Sequence, residues 1–323
     1  MAPRLSLSTR ALLWLTTALL LPGALAQAWY FGSGTLLLVV AGISFATLTE
    51  ALCQLLRDGA LNSERLADGS SALTGALIAL CLPPGTPLAV LAFACLLGLG
   101  LGKFAYGGLG NNLFNPAMVG YAAALVTFPE HLASWPIAAA ETPATLDGLS
   151  AATPLDAFAH RGGATVADFQ STAAFGTWGG ARWEWVNLGY LAGGLGVVAL
   201  RLAHWRVPVA VLASLGVCAA IGYDGGSSAS TGTPLFHWLT GATCLTAFFI
   251  ATDPVTQPSD PRAQWLFGAL IGALIFVIRS YGTWADGAAF AVLLANGCAP
   301  LLQHQGERWR DRAKALRRSE PRP

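Results

Sequence analysis

Charge is what this chain most lacks. Only 11% of its 323 residues are Asp, Glu, Lys or Arg, against 54% hydrophobic, and the mean hydropathy is +0.55. Soluble domains carry about 25% charged residues, so the composition excludes an ordinary soluble enzyme and implies an integral membrane protein. A net charge of +1 offers nucleic acid no electrostatic hold. Lysine is nearly missing, with Lys103 and Lys314 its two occurrences. Paired cysteines are missing as well. Cys53, Cys81, Cys95, Cys218, Cys244 and Cys298 stand singly in apolar runs, no C-x-x-C occurs, and the five histidines lie apart from them. This argues against a metal or iron–sulfur site built by this chain alone and for small buried hydrophobes.

Long apolar runs are what the chain does have. A membrane helix needs roughly 20 mostly apolar residues. Runs of that kind lie near 11–30, 34–56, 115–128, 183–200, 207–222, 235–252, 263–280 and 286–303. Residues 70–102 are equally apolar but broken by Pro83-Pro84-Gly85, which predicts two short helices facing back along each other. The expectation is an all-α integral membrane protein of about ten transmembrane segments.

Basic residues set the direction. With a cytoplasmic N-terminus, the inner set holds Arg4, Arg10, Arg57, Arg65, Lys103, Arg201, Arg206, Arg262 and the seven residues from Arg308 to Arg322. That is fifteen of the eighteen Lys and Arg residues, leaving Arg161, Arg182 and Arg279 outside. The positive-inside rule then puts both termini in the cytoplasm and the long loop 129–182 in the periplasm of a bacterial inner membrane. Arg4, Arg10, the run Ala11–Leu21 and Ala24-Leu25-Ala26 also fit a cleaved signal peptide, and an uncleaved first helix serves the same role.

The two halves echo each other. Leu73-Thr74-Gly75-Ala76 parallels Leu239-Thr240-Gly241-Ala242, and Tyr106-Gly107 parallels Tyr281-Gly282. The expected organisation is a first five-span repeat (1–128), the periplasmic loop (129–182), a second five-span repeat (183–305) and a basic cytoplasmic tail (306–323). Units with an odd number of spans invert on tandem duplication. Inverted-repeat folds bring broken helices together near the midplane; the alternative is chance similarity in low-complexity apolar sequence.

Several polar positions interrupt the apolar background. Gly107-Gly108-Leu109-Gly110-Asn111-Asn112-Leu113-Phe114-Asn115-Pro116 is a Gly/Asn hinge whose amides are suited to backbone groups freed by a helix break. It does not have the spacing of a nucleotide fingerprint. Glu50 and Asp253 are acids near membrane depth, either functional or turn-forming. Arg279 either snorkels or holds an anion such as a phosphate. Thr153-Pro154-Leu155-Asp156 reads as a helix N-cap, a proline at the first helical position and an acid in the first turn.

The chain resembles the RnfD family, the D subunits of bacterial Rnf electron-transport complexes, itself similar to the B subunit of the sodium-pumping NADH:quinone reductase. The resemblance runs through Leu66-Ala67-Asp68-Gly69-Ser70, Tyr106-Gly107-Gly108-Leu109-Gly110 and Phe114-Asn115-Pro116-Ala117-Met118-Val119-Gly120-Tyr121. It continues through Trp185-Val186-Asn187-Leu188, Thr252-Asp253-Pro254-Val255-Thr256, and Asp286-Gly287 leading to Phe290-Ala291-Val292-Leu293-Leu294. In such proteins a flavin transferase joins FMN to a threonine by a phosphoester. The recognition pattern resembles D-x-x-S-x-A-T, matched here by Asp147, Ser150, Ala152 and Thr153. Related motifs often carry Gly where this chain has Ala151. The resemblance thus implies covalent FMN on Thr153, with Asp147 and Ser150 as recognition positions, and leaves a second, non-covalent flavin open. It implies the A, B, C, E and G subunits of an Rnf complex as partners. Electrons would move between ferredoxin and NAD, or serve to keep a redox regulator reduced, coupled to Na⁺ or H⁺ movement. Without it, a B-type quinone-reductase subunit or a non-redox channel or transporter would fit the same architecture.

Overall fold

The structure is a computed structural model that describes residues 7–136, 150–284 and 286–319. Sixteen α-helices dominate the described residues. The first pair, α1 (Thr9–Leu19) and α2 (Leu21–Phe31), run on from each other, and α3 spans Gly34–Asp58. The short α4 (Ser63–Leu66) leads to α5 (Ser70–Cys81), α6 (Leu88–Gly102) and α7 (Pro116–Thr127). After α8 (Pro129–Ala133) come strands β1 (Ser134–Pro136) and β2 (Ser150–Ala152), then α9 (Pro154–Ala159) and α10 (Val166–Gln170). The second half contains α11 (Trp183–Ala199), α12 (Arg206–Gly222), α13 (Pro234–Trp238), α14 (Thr243–Leu245), α15 (Pro261–Tyr281) and α16 (Ala288–Ser319).

Among the described residues, four helical stretches are long and apolar enough to cross a membrane. These are Thr9–Phe31, Gly34–Asp58, Leu88–Tyr106 and Pro261–Tyr281. Helices α7 and α12 are apolar but shorter. Helix is found in every apolar segment read from the sequence, yet not always at spanning length. The break in 70–102 falls as expected: α5 ends at Leu82, whose extended backbone is what a following proline demands. The run 235–252 departs from expectation and is not one helix. It consists of α13, a corner at Leu239–Ala242, α14 and a π-helical turn over Thr246–Ile250. Gly241 makes the corner, with φ +64°, and a Cβ there would sit 2.6 Å from the Asp286 carboxylate. The echoed tetrapeptides therefore differ locally, since Leu73–Ala76 lies within α5 while Leu239–Ala242 turns. Helix α16 runs unbroken past Pro300 and on to Ser319, within the basic tail.

Glycines set how closely the helices approach. Helix α3 crosses α5 where Gly42 meets Gly75, and a Cβ on Gly75 would lie 2.2 Å from the Gly42 carbonyl oxygen. Gly98 and Gly120 do the same for α6 and α7, and Gly272 meets the Val211 carbonyl where α15 crosses α12. In a bilayer no hydrophobic force separates helix from lipid, so close packing of this kind is a principal source of cohesion. One large core results, joining Leu38, Ile78, Leu91, Met118, Leu215, Phe267 and Ile271 from both halves.

The described parts of the loop 129–182, residues 129–136 and 150–182, are folded. Strands β1 and β2 pair antiparallel with Trp135 opposite Ala151. Together with a bridge between Phe175 and Gly180, this is the β structure among the described residues. A second, smaller core of Leu155, Phe158, Val166, Phe169 and Phe236 fastens α9 and α10 onto α13.

Candidate functional site

A cavity of about 230 Å³ lies between the two halves, and Thr153 is one of its lining residues. Its wall is predominantly apolar and rich in aromatic rings: Trp135, Trp183, Tyr121, Tyr190 and Trp284. Trp135 and Trp183 stand 4.7 Å apart, edge to face, and Phe31 closes on both at 5.2 and 5.0 Å. Such rings keep water out while offering flat, polarisable faces. The C-terminal residues of α5 (Leu80, Cys81) and the π-turn (Thr246, Ile250) line the same space. The two interrupted segments thus contribute to one site.

Thr153 adopts the role its local sequence predicts. Its backbone is extended (φ −63°, ψ 155°), its hydroxyl oxygen accepts the Asp156 N–H at 3.2 Å, and Pro154 opens α9. Three anchors hold it against the membrane core. Strand β2 ends next to it, Leu155 and Phe158 are buried in the smaller core, and Pro154 packs closely on Gly180. The Gly180 N–H in turn donates to the Thr240 hydroxyl at 2.8 Å. Ser150 begins β2 opposite Pro136. Asp147, the other expected recognition position, lies outside the described residues.

The Gly241 corner borders the same cavity and is tied down by groups whose roles there the sequence pattern does not reveal. Asn187 on α11 donates to the carbonyls of Trp183 and Gly241 and accepts the Cys244 N–H. Asp286 accepts the Ala242 N–H at 2.7 Å and pairs with Arg279 at 3.0 Å. Arg279 also donates to the carbonyls of His237 (2.9 Å) and Thr240 (3.4 Å). It is buried and neither snorkels nor stands free for an anion. Its charge is balanced by the Asp286 carboxylate, seven residues away in sequence.

Two further polar features of the cavity carry no signal in the sequence. The Tyr190 hydroxyl donates to Gln27 Oε1 at 3.0 Å, and Gln27 Nε2 donates to the Leu80 carbonyl at 3.3 Å. Gln27 closes an apolar run without breaking its hydropathy, so only its burial, at 1% exposure, reveals it. Thr246 is fully buried, and its hydroxyl has no partner.

Of the remaining sequence candidates, Asn112, Asn115 and Asp253 line a second cavity of about 70 Å³, together with Ser70 and Lys103 among others. Asn115 caps α7 by accepting the N–H groups of Ala117 and Met118, and its amide donates to the Ile250 carbonyl at 3.2 Å. The hinge asparagine thus bonds a carbonyl at the end of the π-turn, as its setting beside a helix break suggests. Asp253 accepts from the Val255 N–H and the Thr256 hydroxyl, the signature of an Asx turn. Glu50 is buried and pairs with Lys103 at 2.7 Å. Neither acid borders the Thr153 cavity.

Residues 4–308 match the family described as NQR2, RnfD, RnfE. Among curated proteins, the D subunit of an ion-translocating oxidoreductase complex from Aeromonas hydrophila subsp. hydrophila is 43% identical, covering 91% of this chain and 92% of its own. Proteins of the same name from Shewanella sediminis and Yersinia enterocolitica are 39% and 40% identical, covering 94% and 92% of this chain and the same shares of their own.

Proposed function

This chain belongs to the NQR2, RnfD, RnfE family, and from that premise we propose that it is the FMN-carrying membrane subunit of an Rnf-type ion-translocating oxidoreductase. It is a multi-pass membrane protein, and the relatives it matches over nine-tenths of their length bear the name of a D-type subunit of such a complex. On this reading FMN is esterified to Thr153, with Asp147 and Ser150 read by the flavin transferase. The partners are the A, B, C, E and G subunits. Electrons pass between ferredoxin and NAD, or keep a redox regulator reduced, and the passage is coupled to ion movement across the bacterial inner membrane. The two halves are inverted five-helix repeats with both termini cytoplasmic and the Thr153 loop periplasmic. The fifteen basic residues on one side support that orientation.

One observation carries the flavin assignment: Thr153 sits on the wall of an aromatic-rich cavity that also exposes an unpartnered buried hydroxyl. A flavin has a flat aromatic ring with hydrogen-bonding edges, so these residues fit it. When bound, FMN supplies stepwise electron relay. The chain's own residues would tether it through Thr153 Oγ1, exclude water with Trp135, Trp183 and Tyr190, and offer it a hydrogen-bonding amide at Gln27. A flavin exposed to the periplasm would be lost if it dissociated, which gives the covalent bond a purpose.

The full chain, co-expressed with a flavin transferase and run on a denaturing gel, is expected to fluoresce. Mass spectrometry should then find one FMN phosphoryl adduct on the peptide holding Thr153. Thr153→Ala should abolish both. A dark wild-type band under these conditions would sink the proposal.

A further inference from the structure

Threonine hydroxyls buried in helices have a standard outlet, the carbonyl one turn back. This chain uses it repeatedly. Thr16, Thr17, Thr47, Thr74, Thr127 and Thr252 each donate to the carbonyl four residues earlier, at 2.7–2.9 Å. Thr246 does not. The carbonyl four residues before it, that of Ala242, receives the Thr246 backbone N–H at 2.8 Å, and its hydroxyl makes no hydrogen bond. The residue is 0% exposed, so the omission costs the full desolvation of a hydroxyl. It also starts the π-helical turn, a local irregularity associated with functional sites. Thr246 lines the same cavity as Thr153.

We infer that Thr246 is a positioning residue for the flavin ring, its hydroxyl donating a hydrogen bond to an acceptor atom on the ring edge. The inference rests on the reading of Thr153 as the flavin tether. The Gln27–Tyr190 pair lines the cavity too. Gln27 Oε1 has accepted one proton from Tyr190 and retains a second lone pair, and its amide retains a second N–H. The ring seat thus has one unpaired donor at Thr246 and a half-used amide at Gln27, in walls that are mostly aromatic or aliphatic, with Asp156 and Asp286 also on the lining. A donor to the ring edge stabilises the reduced, electron-rich ring more than the oxidised one. Thr246 therefore raises the potential of the bound flavin as well as fixing its plane.

The test uses the full chain co-expressed with flavin transferase and purified in detergent, as wild type and as Thr246→Val, Thr246→Ala and Thr246→Ser. Two readouts are taken: the fluorescent band that reports attachment, and a redox titration followed by the flavin's visible absorption. Attachment should be unchanged in all four. In the Val and Ala variants the reduced-to-oxidised ratio at fixed potential should fall about fivefold, which for one electron is a shift of ~40 mV downward. Thr246→Ser should titrate like wild type. Val removes the hydroxyl with little change of shape, and Ala repeats the measurement should Val fail to fold. An unmoved titration in the Val or Ala variant, with the band intact, overturns the inference and leaves the proposed function standing. A Ser variant shifted as far as Val overturns it as well, because the hydroxyl would not be the cause. A wild-type chain with no band brings down both.

Discussion

Breaking the buried Glu50–Lys103 pair from one side should cost far more than removing it whole. Both side chains are 3% exposed, their charged atoms are 2.7 Å apart, and Lys103 Nζ also donates to the Ser70 hydroxyl at 2.8 Å. That hydroxyl donates onward to Asp68 at 2.6 Å, so the pair joins α3, the end of α6 and the start of α5. Lys103→Met keeps the length of the side chain and strands the Glu50 carboxylate in a dry site, a loss of about 3–5 kcal/mol. Glu50→Leu strands the ammonium, although Ser70 still receives one of its protons, so its cost should fall at the lower end of that range. Against a total stability of ~5–15 kcal/mol, either single change is severe. The double variant Glu50→Leu/Lys103→Met leaves no unpaired charge and should lie within about 2 kcal/mol of wild type, because buried pairs replaced by apolar groups are often neutral. The measurement is reversible unfolding of the purified protein in mixed micelles, analysed as a double-mutant cycle. Additive losses, with the double variant as damaged as the two singles together, would refute the account of the pair as a mutually neutralising clasp.

Four other contacts lead to outcomes of the same kind. Gly75→Ala forces a methyl into the Gly42 carbonyl and should destabilise by about 1–3 kcal/mol, whereas Gly100→Ala, which meets nothing within 4 Å, should be neutral or slightly stabilising; thermal unfolding of the pair decides it. Asn115→Asp should keep the α7 cap but lose the bond to Ile250, and Asn115→Ala should lose both, so the two should differ by ~1 kcal/mol in unfolding free energy. Arg279→Met should release the Gly241 corner, seen as faster hydrogen exchange at Ala242, whose N–H is held by Asp286; unchanged exchange there would count against Arg279 as its anchor. Finally, hydrogen bonds from the Thr165 hydroxyl and N–H hold the Asp168 carboxyl below its ordinary range. A lowered folded-state value means the α10 cap is fully present above the unfolded value of about 3.9 and is lost as pH falls through the lower one. Protection of the Thr165 amide against exchange, taken relative to its intrinsic rate at each pH, should therefore hold at pH 5 and fall only in stronger acid.

What could be read in advance divides along physical lines. Apolar runs mark helices because a bilayer leaves the backbone no other way to satisfy itself, and Pro83-Pro84 marks a break because its steric effect is local. Thr153 is legible as a cap for the same reason, since cap, proline and acid lie within four residues. The corner at Leu239–Ala242 is not legible, because it depends on Asn187, Arg279 and Asp286, which arrive from α11, α15 and the residues before α16. Arg279 shows the limit most clearly. Taken alone it is a stray positive charge outside the basic set, and only the fold supplies the carboxylate that neutralises it. The two readings of Thr153 separate in the same way. A cap explains its backbone and its bond to Asp156, but it does not explain why the residue lines a ring-walled cavity that also holds Thr246 with an unspent hydroxyl. What the structure adds to the proposed flavin site beyond its local motif is a residue 93 positions away that no motif includes.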